Sequence, residues 1–503
     1  MIKNILKKYR NEIILGLVLT LVFFLTRLIH LTEMPIFTDE AIYLRWAQIA
    51  KNDASWRFIS LTDGKQPLFV WLTMVVMKFV SDPLLAGRLV STGAGFLTMI
   101  GMGLLGYELF QSRRVGWLSA FLYLILPFSL VYDRMALMDA MVGMFAIWNL
   151  YLAILLVKKL RLDVALIFGM TLGGGVLTKT SGFFNIYLLP ATLVLFNWKD
   201  KKRYLRLAKW VFLAILAVLI SQLFYGILRL SPWFHMVAQK DTTFIYPLRD
   251  WIYHPFTFFW GNLRGLFDWL KNYLTWPILI LVTGSLVFIF KKPKEKVLLF
   301  AWFIAPFVAL ALFGKVLYPR FILFMSLPLL VLAAVFLDQV GSLLKNKLLF
   351  LLVLVIVLAY PLFFDWQILF NLYQAPLPQS DRDQYLNDWP AGGGVKEAVE
   401  FFQSQIQKGK IAIFTEGTFG LMPYSLELYL VDNPNVELKG IWPLEKIPDE
   451  VLEIARGKPT FLITNATQVI PREWPLKLIE QYPKGQNDKV FLRIFTVIPP
   501  KVK

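Results

Sequence analysis

The sequence predicts a polytopic α-helical membrane protein that ends in a small extracytoplasmic α/β domain. Three observations carry this. Of the 503 residues, 57% are hydrophobic and 16% aromatic, and the mean hydropathy is +0.58, beyond what an ordinary soluble domain holds. The net charge of +18 falls in short lysine and arginine clusters between apolar runs. That is the pattern of the positive-inside rule, and it excludes nucleic acid as a partner, which would need one continuous basic face. From about Gln374 the composition turns soluble: Pro376, Pro378, Pro390 and Gly392-Gly393-Gly394 punctuate the chain, and short strand-like and helix-like stretches follow. Cysteine is absent, which removes disulfides, thiolate metal sites and thiol nucleophiles.

Taken in order, the first apolar run, Ile13 to Leu31, follows Lys3, Lys7, Lys8 and Arg10. It is longer than a signal-peptide core and lacks a small-residue cleavage site, so it is expected to stay as a first span with the amino terminus cytoplasmic. Thr32 to Gln66 then lies outside. Pro67 to Val80 is shorter than the roughly 20 residues a helical span needs. If it crossed, Arg113-Arg114, Lys158 to Arg161 and Lys199 to Arg206 would all lie outside, against the charge rule. As an interfacial or re-entrant helix it leaves every dense basic cluster inside, including Lys291 to Lys296 and Lys345 to Lys347. Further spans follow over Leu85–Leu109, Val115–Leu130, Ala140–Val157, Val164–Leu177, Phe183–Trp198, Trp210–Leu230, Tyr273–Phe290, Val297–Leu312, Phe321–Val340 and Leu348–Phe370. That makes about eleven, in a range of about eleven to thirteen. The expected organisation is a membrane domain over 1–373 with an outer loop at 32–84, a linker at 374–394 and a soluble module at 395–503, in a plasma-membrane protein. Within the module Val395–Gln407, Leu421–Leu430 and Asp449–Arg456 read as helices. Lys410–Phe414, Val436–Ile441, Thr460–Thr464 and Val490–Val497 read as strands.

This register gathers acids and cations from distant loops onto the outer face. Asp39, Glu40 and Lys65 lie in the first loop, Asp133, Arg134 and Asp139 at the next turn, and Lys179 at the third. His235, Lys240, Asp241, Arg249, Asp250 and His254 fill a long loop, and Lys315, Tyr318 and Arg320 the one after it. Carboxylates beside a bilayer are costly and usually mark a substrate or ion path. Transfer of a sugar from a lipid phosphate needs a carboxylate to take the proton of the acceptor hydroxyl. It also needs cations to stabilise the departing phosphate. Asp39 is the candidate base, with Glu40 orienting it. Lys65 and Arg320 are the candidate phosphate cations, lysine as a point charge and arginine as a fork. Lys179 and Tyr318 are further phosphate-binding candidates, and Arg134, Gln66 and His254 are substrate-binding candidates.

The ordered motifs are Thr-Asp39-Glu40-Ala-Ile-Tyr, Lys65-Gln66-Pro67-Leu-Phe-Val-Trp, Asp133-Arg134-Met-Ala-Leu-Met-Asp139, Leu-Thr-Lys179-Thr, Tyr318-Pro-Arg320-Phe and Asp388-Trp389-Pro390-Ala391-Gly392. Together they resemble the bacterial members of the GT-C superfamily, most nearly the protein O-mannosyltransferase group and the aminoarabinose transferases acting on lipid A. The resemblance runs over most of the membrane part and into the linker. It implies a polyprenyl-phosphate sugar donor and inverting transfer outside the membrane. It also implies a base in the first outer loop, which falls on Asp39, and a second acid ending an Arg-x-x-x-x-Asp motif, which falls on Asp139. The family's Lys-Pro-Pro is here Lys65-Gln66-Pro67, which keeps the lysine and leaves the substrate open. Ser231 to Lys271 matches no subfamily pattern. The acceptor, whether protein, lipid or envelope glycan, is open too, and bilayer lipids are the remaining partners.

Simpler roles compete for several of these residues. Asp39-Glu40 also fits a helix start near Ala41. Asp139 also fits a structural salt bridge to Arg134, and Lys179 and Lys315 fit snorkelling to headgroups. Gly173-Gly174-Gly175 before Lys179-Thr180 lacks the glycine directly before the lysine of a phosphate loop. It is expected instead to let helices approach closely. His30, His235 and His254 are too scattered to specify a metal site, although one of them with carboxylates fits a divalent ion, so a metal cofactor stays open. Asn465-Ala466-Thr467 matches the glycosylation acceptor pattern. The competing function is a lipid-linked sugar flippase or transporter; such proteins are often built of repeated halves with broken helices, and no such repeat is visible.

Overall fold

Residues 9–254, 256–288, 291–344 and 346–499 are described by the structure, a computed structural model. Lys3, Lys7, Lys8, Lys345 and the end of the span expected to close at Phe290 lie outside the described residues. Among the described residues, eight helices are long and apolar enough to cross a membrane: Arg10–Leu28, Pro83–Phe110, Met138–Lys159, Arg203–Leu230, Phe259–Val287, Pro293–Phe313, Pro319–Leu343 and Lys347–Phe370. Arg113–Leu124 and Pro127–Asp133 make a ninth only as a pair bent by 60°. Pro127 opens the second half, where its missing N–H costs nothing. The span expected at Phe183–Trp198 is a run of tight turns, 3₁₀ over Thr180–Phe183 and Leu189–Leu195 around one helical turn at Phe184–Tyr187. Pro190 cannot donate to a continuing helix there. The helix before it, Leu162–Thr178, has 17 residues, so eleven spans are reached only by counting both segments. Leu68–Val76 has nine residues, far short of a crossing, as expected for the stretch after Lys65.

The chain forms two compact units. One holds the residues up to Leu31, Ser55–Leu72 and Arg88–Pro376; the other holds Thr32–Ala54, Thr73–Gly87 and the chain from Leu377 onward. This differs from the linear division at 373 and 394. The second unit takes in much of the first outer loop, and the expected linker is part of its interior, with Leu377, Asp381, Tyr385, Leu386 and Ala391 buried.

In the first unit Pro319–Leu343 is the central helix, with 83% of its apolar window buried. It packs against Arg113–Leu124, Met138–Lys159, Phe259–Val287 and Pro293–Phe313. The triple glycine lets its helix close on two neighbours: a β-carbon at Gly173 would lie 2.7 Å from the Phe224 ring, and one at Gly174 would strike Phe145. Arg27 and Asp133, both fully buried, pair at 3.3 Å inside this unit. Tyr123 Oη also donates to Asp133, at 2.8 Å, and Arg27 satisfies Leu124 O and Ser129 Oγ. An ion pair so enclosed is tolerated only with such additional bonds.

In the second unit five strands form one sheet in the order β2-β1-β3-β5-β4, with β1 Ile411–Glu416, β2 Val436–Ile441, β3 Thr460–Thr464, β4 Leu476–Lys484 and β5 Asn487–Val497. β1 runs parallel to β2 and β3, and β5 runs antiparallel to β3 and β4. The parallel part needs crossover helices, which Leu421–Leu430 and Asp449–Gly457 supply. One face buries Ala412, Phe414, Leu462 and Phe495 against Val451. On helix Val395–Ile406, Phe401 and Phe402 meet the Phe461 ring at 5.6 and 5.5 Å.

Candidate active site

The polar residues of the first unit converge at helix ends. Asp139 stands in the first turn of Met138–Lys159, where the helix dipole favours a negative charge. Lys179 follows the last residue of Leu162–Thr178 in an extended conformation. Its Nζ donates to Asp139 Oδ1 at 2.7 Å and lies 4.6 Å from the centre of the Phe321 ring. Arg320 is buried, with its guanidinium 4.9 Å from the Tyr318 ring. Burial pushes the Lys179 ammonium below its ordinary value; Asp139 opposes this, and the positive charges of Arg320 and Lys65 add to it. Lys65, Lys179 and Arg320 thus share one electrostatic neighbourhood.

Lys65 is held by a tight turn. Its N–H donates to Ser60 O at 3.0 Å, after a glycine with φ of +67°. A β-carbon on Gly64 would sit 2.5 Å from Lys240 Cβ and strike Met236 O, so only glycine allows helix Met236–Phe244 to close on the turn. Lys240 then pairs with Asp63 at 2.6 Å. Gln66 is buried and its Nε2 donates to Thr180 Oγ1 at 2.8 Å. The Thr180 hydroxyl in turn donates to Asp241, whose carboxyl is raised by burial and held back by that bond. Thr180 and Asp241 were not singled out as site residues. The motif Leu-Thr-Lys179-Thr contains the first, and the charge register groups the second with the outer-face acids.

Arg134, a substrate-binding candidate, is bonded to backbone carbonyls. Arg134 is 3% exposed and donates to Thr26 O, Arg27 O, Ile29 O and His30 O at 2.6 to 3.2 Å. It closes the carboxyl end of the first span, whose last carbonyls have no helical partners. The salt-bridge partner of Asp139 is Lys179, and the expected alternative pairing with Arg134 is corrected accordingly. His254 is exposed, in a shallow hollow with Asp250, Trp251 and Phe258. Among the described residues no three His, Cys, Asp or Glu side chains stand together as a metal-ligand set.

In the second unit helix Thr38–Asn52 begins at the Thr-Asp-Glu motif. Glu40 is fully buried and its Oε2 accepts the Phe37 N–H at 2.9 Å, which secures the helix start. Asp39, one residue earlier, is half-exposed. Thr38 donates to Pro390 O through both its N–H, at 3.1 Å, and its Oγ1, at 2.9 Å. Further along, Arg45 pairs with Glu427 at 2.6 Å. Asn465 is buried and its Nδ2 donates to Trp389 O at 2.9 Å, so this amide is not presented as a glycosylation acceptor.

Residues 64–225, which contain Lys65, Asp139 and Lys179, match the family model described as dolichyl-phosphate-mannose-protein mannosyltransferase. No curated protein matches the chain. The crystal structure of ArnT from Cupriavidus metallidurans in the apo state is similar over 98% of this chain and 100% of that one, with a TM-score of 0.63 at 13% identity. The chain has the GT-C glycosyltransferase fold. ArnT bound to undecaprenyl phosphate matches with the same coverage at a TM-score of 0.58 and 14% identity. The archaeal oligosaccharyltransferase AglB from Archaeoglobus fulgidus, in complex with an inhibitory peptide and a dolichol-phosphate, matches the GT-C fold too. That match covers 91% of this chain and 70% of that one, with a TM-score of 0.53 at 14% identity. Identities this low speak for the fold. The family model adds the glycosyltransferase class on its own stretch, in agreement with the motifs.

Proposed function

We propose that this membrane glycosyltransferase moves a sugar from a polyprenyl-phosphate donor to an acceptor at the outer membrane face, with inversion, and that Asp39 is its general base. The observation that carries the reading is the Lys179–Asp139 pair at 2.7 Å with Arg320 and Lys65 in its electrostatic neighbourhood. As the acceptor oxygen attacks the anomeric carbon, the bond from that carbon to the phosphate oxygen breaks. The polyprenyl phosphate leaves with one more negative charge. Cations already in place stabilise that charge without reorganising. The acceptor's proton goes to Asp39, and attack opposite the leaving group inverts the anomeric centre. Asp139 keeps Lys179 charged and aimed, while Gln66, through Thr180, holds the turn that carries Lys65. The carriers named with two similar structures, undecaprenyl phosphate for ArnT and dolichol-phosphate for AglB, are of the proposed donor class.

The test supplies radiolabelled polyprenyl-phosphate sugar to membranes holding wild type or Asp39→Asn. Loss of a general base is expected to slow transfer about 100-fold or more, with undecaprenyl-phosphate binding unchanged. Equal transfer by both proteins removes Asp39 from the role. Absence of transfer to every envelope acceptor, by wild type itself, removes the reaction.

A further inference from the structure

Lys484 is the last residue of β4, fully buried in the second unit and far from Asp39 in sequence. Its Nζ donates to Asn465 Oδ1 at 2.5 Å, to Trp389 O at 3.2 Å and to Ala391 O. Asn465 adds its own bond to Trp389 O and is itself fixed from behind. The backbone N–H groups of Asn465, Ala466 and Thr467 donate to the Glu416 carboxylate at the end of β1, at 2.8 to 3.0 Å. Lys484 and Asn465 thus grip the loop Trp389 to Ala391, and Glu416 fixes Asn465 from behind. Burial pushes the Lys484 ammonium down to about 7 against the pull of Asp388, so the group is kept at a real desolvation cost.

The far side of the same loop holds the start of the Asp39 helix. Pro390 O accepts both bonds from Thr38, Phe37 forms an isolated antiparallel bridge with Ala391, and the Phe37 ring meets Tyr385 edge-on at 4.9 Å. A helix start has no internal partners for its first N–H groups, so an outside carbonyl at Thr38 sets where the first turn lies. Asp39 is the next residue.

We propose that Lys484 and Asn465 are positioning residues for the Asp39 carboxylate, acting through the Trp389–Ala391 loop and Thr38, and that this is the work of the carboxyl-terminal sheet. The inference rests on Asp39 being the base. A 1 Å displacement of a reacting group can cost about 100-fold in rate, so a carboxylate in a loop needs such a frame.

The test compares Lys484→Met, Thr38→Val and the double variant of the full chain in lipid nanodiscs. Lys484→Met is expected to speed amide exchange over residues 36–42 while the amides of β1 and β3 keep wild-type protection. Transfer from labelled polyprenyl-phosphate sugar is expected to fall about tenfold or more in kcat, with undecaprenyl-phosphate binding within about twofold of wild type. Because both residues act through the Trp389–Ala391 loop, the double variant is expected to fall little further than the worse single one. Faster exchange throughout the sheet, or additive losses, would make Lys484 merely structural and overturn the inference. Unchanged exchange at 36–42 overturns it as well. If Asp39→Asn keeps full transfer while the exchange coupling stands, it is the reading of Asp39 that fails, and the two failures are distinct.

Discussion

At the scale of single residues, the ion pair of Asp139 and Lys179 makes a pH prediction whose sign follows from its parts. Burial and neighbouring positive charge lower the Lys179 ammonium, and Asp139 raises it. Asp139→Asn removes the raising contribution, so Lys179 loses its proton at lower pH than in wild type. Anion binding needs the charged form. The alkaline limb of undecaprenyl-phosphate binding, followed by tryptophan fluorescence, is therefore expected to move to lower pH; a limb that stays in place rules out Lys179 as the titrating group. Arg134 makes the opposite kind of prediction. Its bonds go to the carbonyls at the end of the first span. Hydrogen bonds to a charged group contribute about 1.5 to 3 kcal/mol each and do not add simply. Arg134→Met is expected to lower the unfolding temperature clearly while each folded molecule keeps near-normal KM for donor. A raised KM at unchanged stability would return Arg134 to the substrate.

At the scale of elements, the turn of Lys65 is the sensitive joint. Gly64→Ala forces a left-handed residue with a β-carbon, at about 1 to 2 kcal/mol, and pushes on Lys240 and Met236. Undecaprenyl-phosphate affinity is expected to fall about tenfold, the equivalent of about 1.4 kcal/mol; unaltered affinity would show that the turn does not place Lys65. The elements also show what sequence reveals. Leu421–Leu430, Val436–Ile441 and Thr460–Thr464 fall where the sequence puts them. Leu476–Lys484 escaped notice: it is an edge strand, mostly exposed, with Pro483 and alternating charges that blunt the edge and its β signal together. Asp241 is placed on the outer face by the charge register but is not marked there as part of the site. Its tie to the site is the Thr180 hydroxyl, a contact between distant segments that leaves no local trace. The allotment of Thr32–Ala54 to the sheet-bearing unit was hidden likewise, since it depends on Pro390 meeting Thr38.

At the scale of the whole molecule, the charge register makes a prediction that the helix ends of the first unit frame. Helix Met138–Lys159 carries Asp139 at one end and Lys158-Lys159 at the other. The next helix, Leu162–Thr178, starts after Arg161 and ends at Lys179. Helix Arg203–Gly226 starts in the cluster Lys199 to Arg206 and runs toward the loop that holds Asp241. Pro293–Phe313 starts among Lys292, Lys294 and Lys296 and ends just before the loop of Tyr318 and Arg320. Dense basic clusters and site residues therefore occupy opposite ends of every one of these helices, as they must if the clusters are held in the cytoplasm and the site faces out. Since the chain has no cysteine, single cysteines report sidedness cleanly. Lys201 and Thr242 are both exposed and flank the same helix. Lys201→Cys is expected to react with a membrane-impermeant maleimide only after the cells are opened, and Thr242→Cys in intact cells. Reaction of both from one side would break the register, and with it the argument that Lys65, Asp139, Lys179 and Arg320 meet their donor outside the membrane.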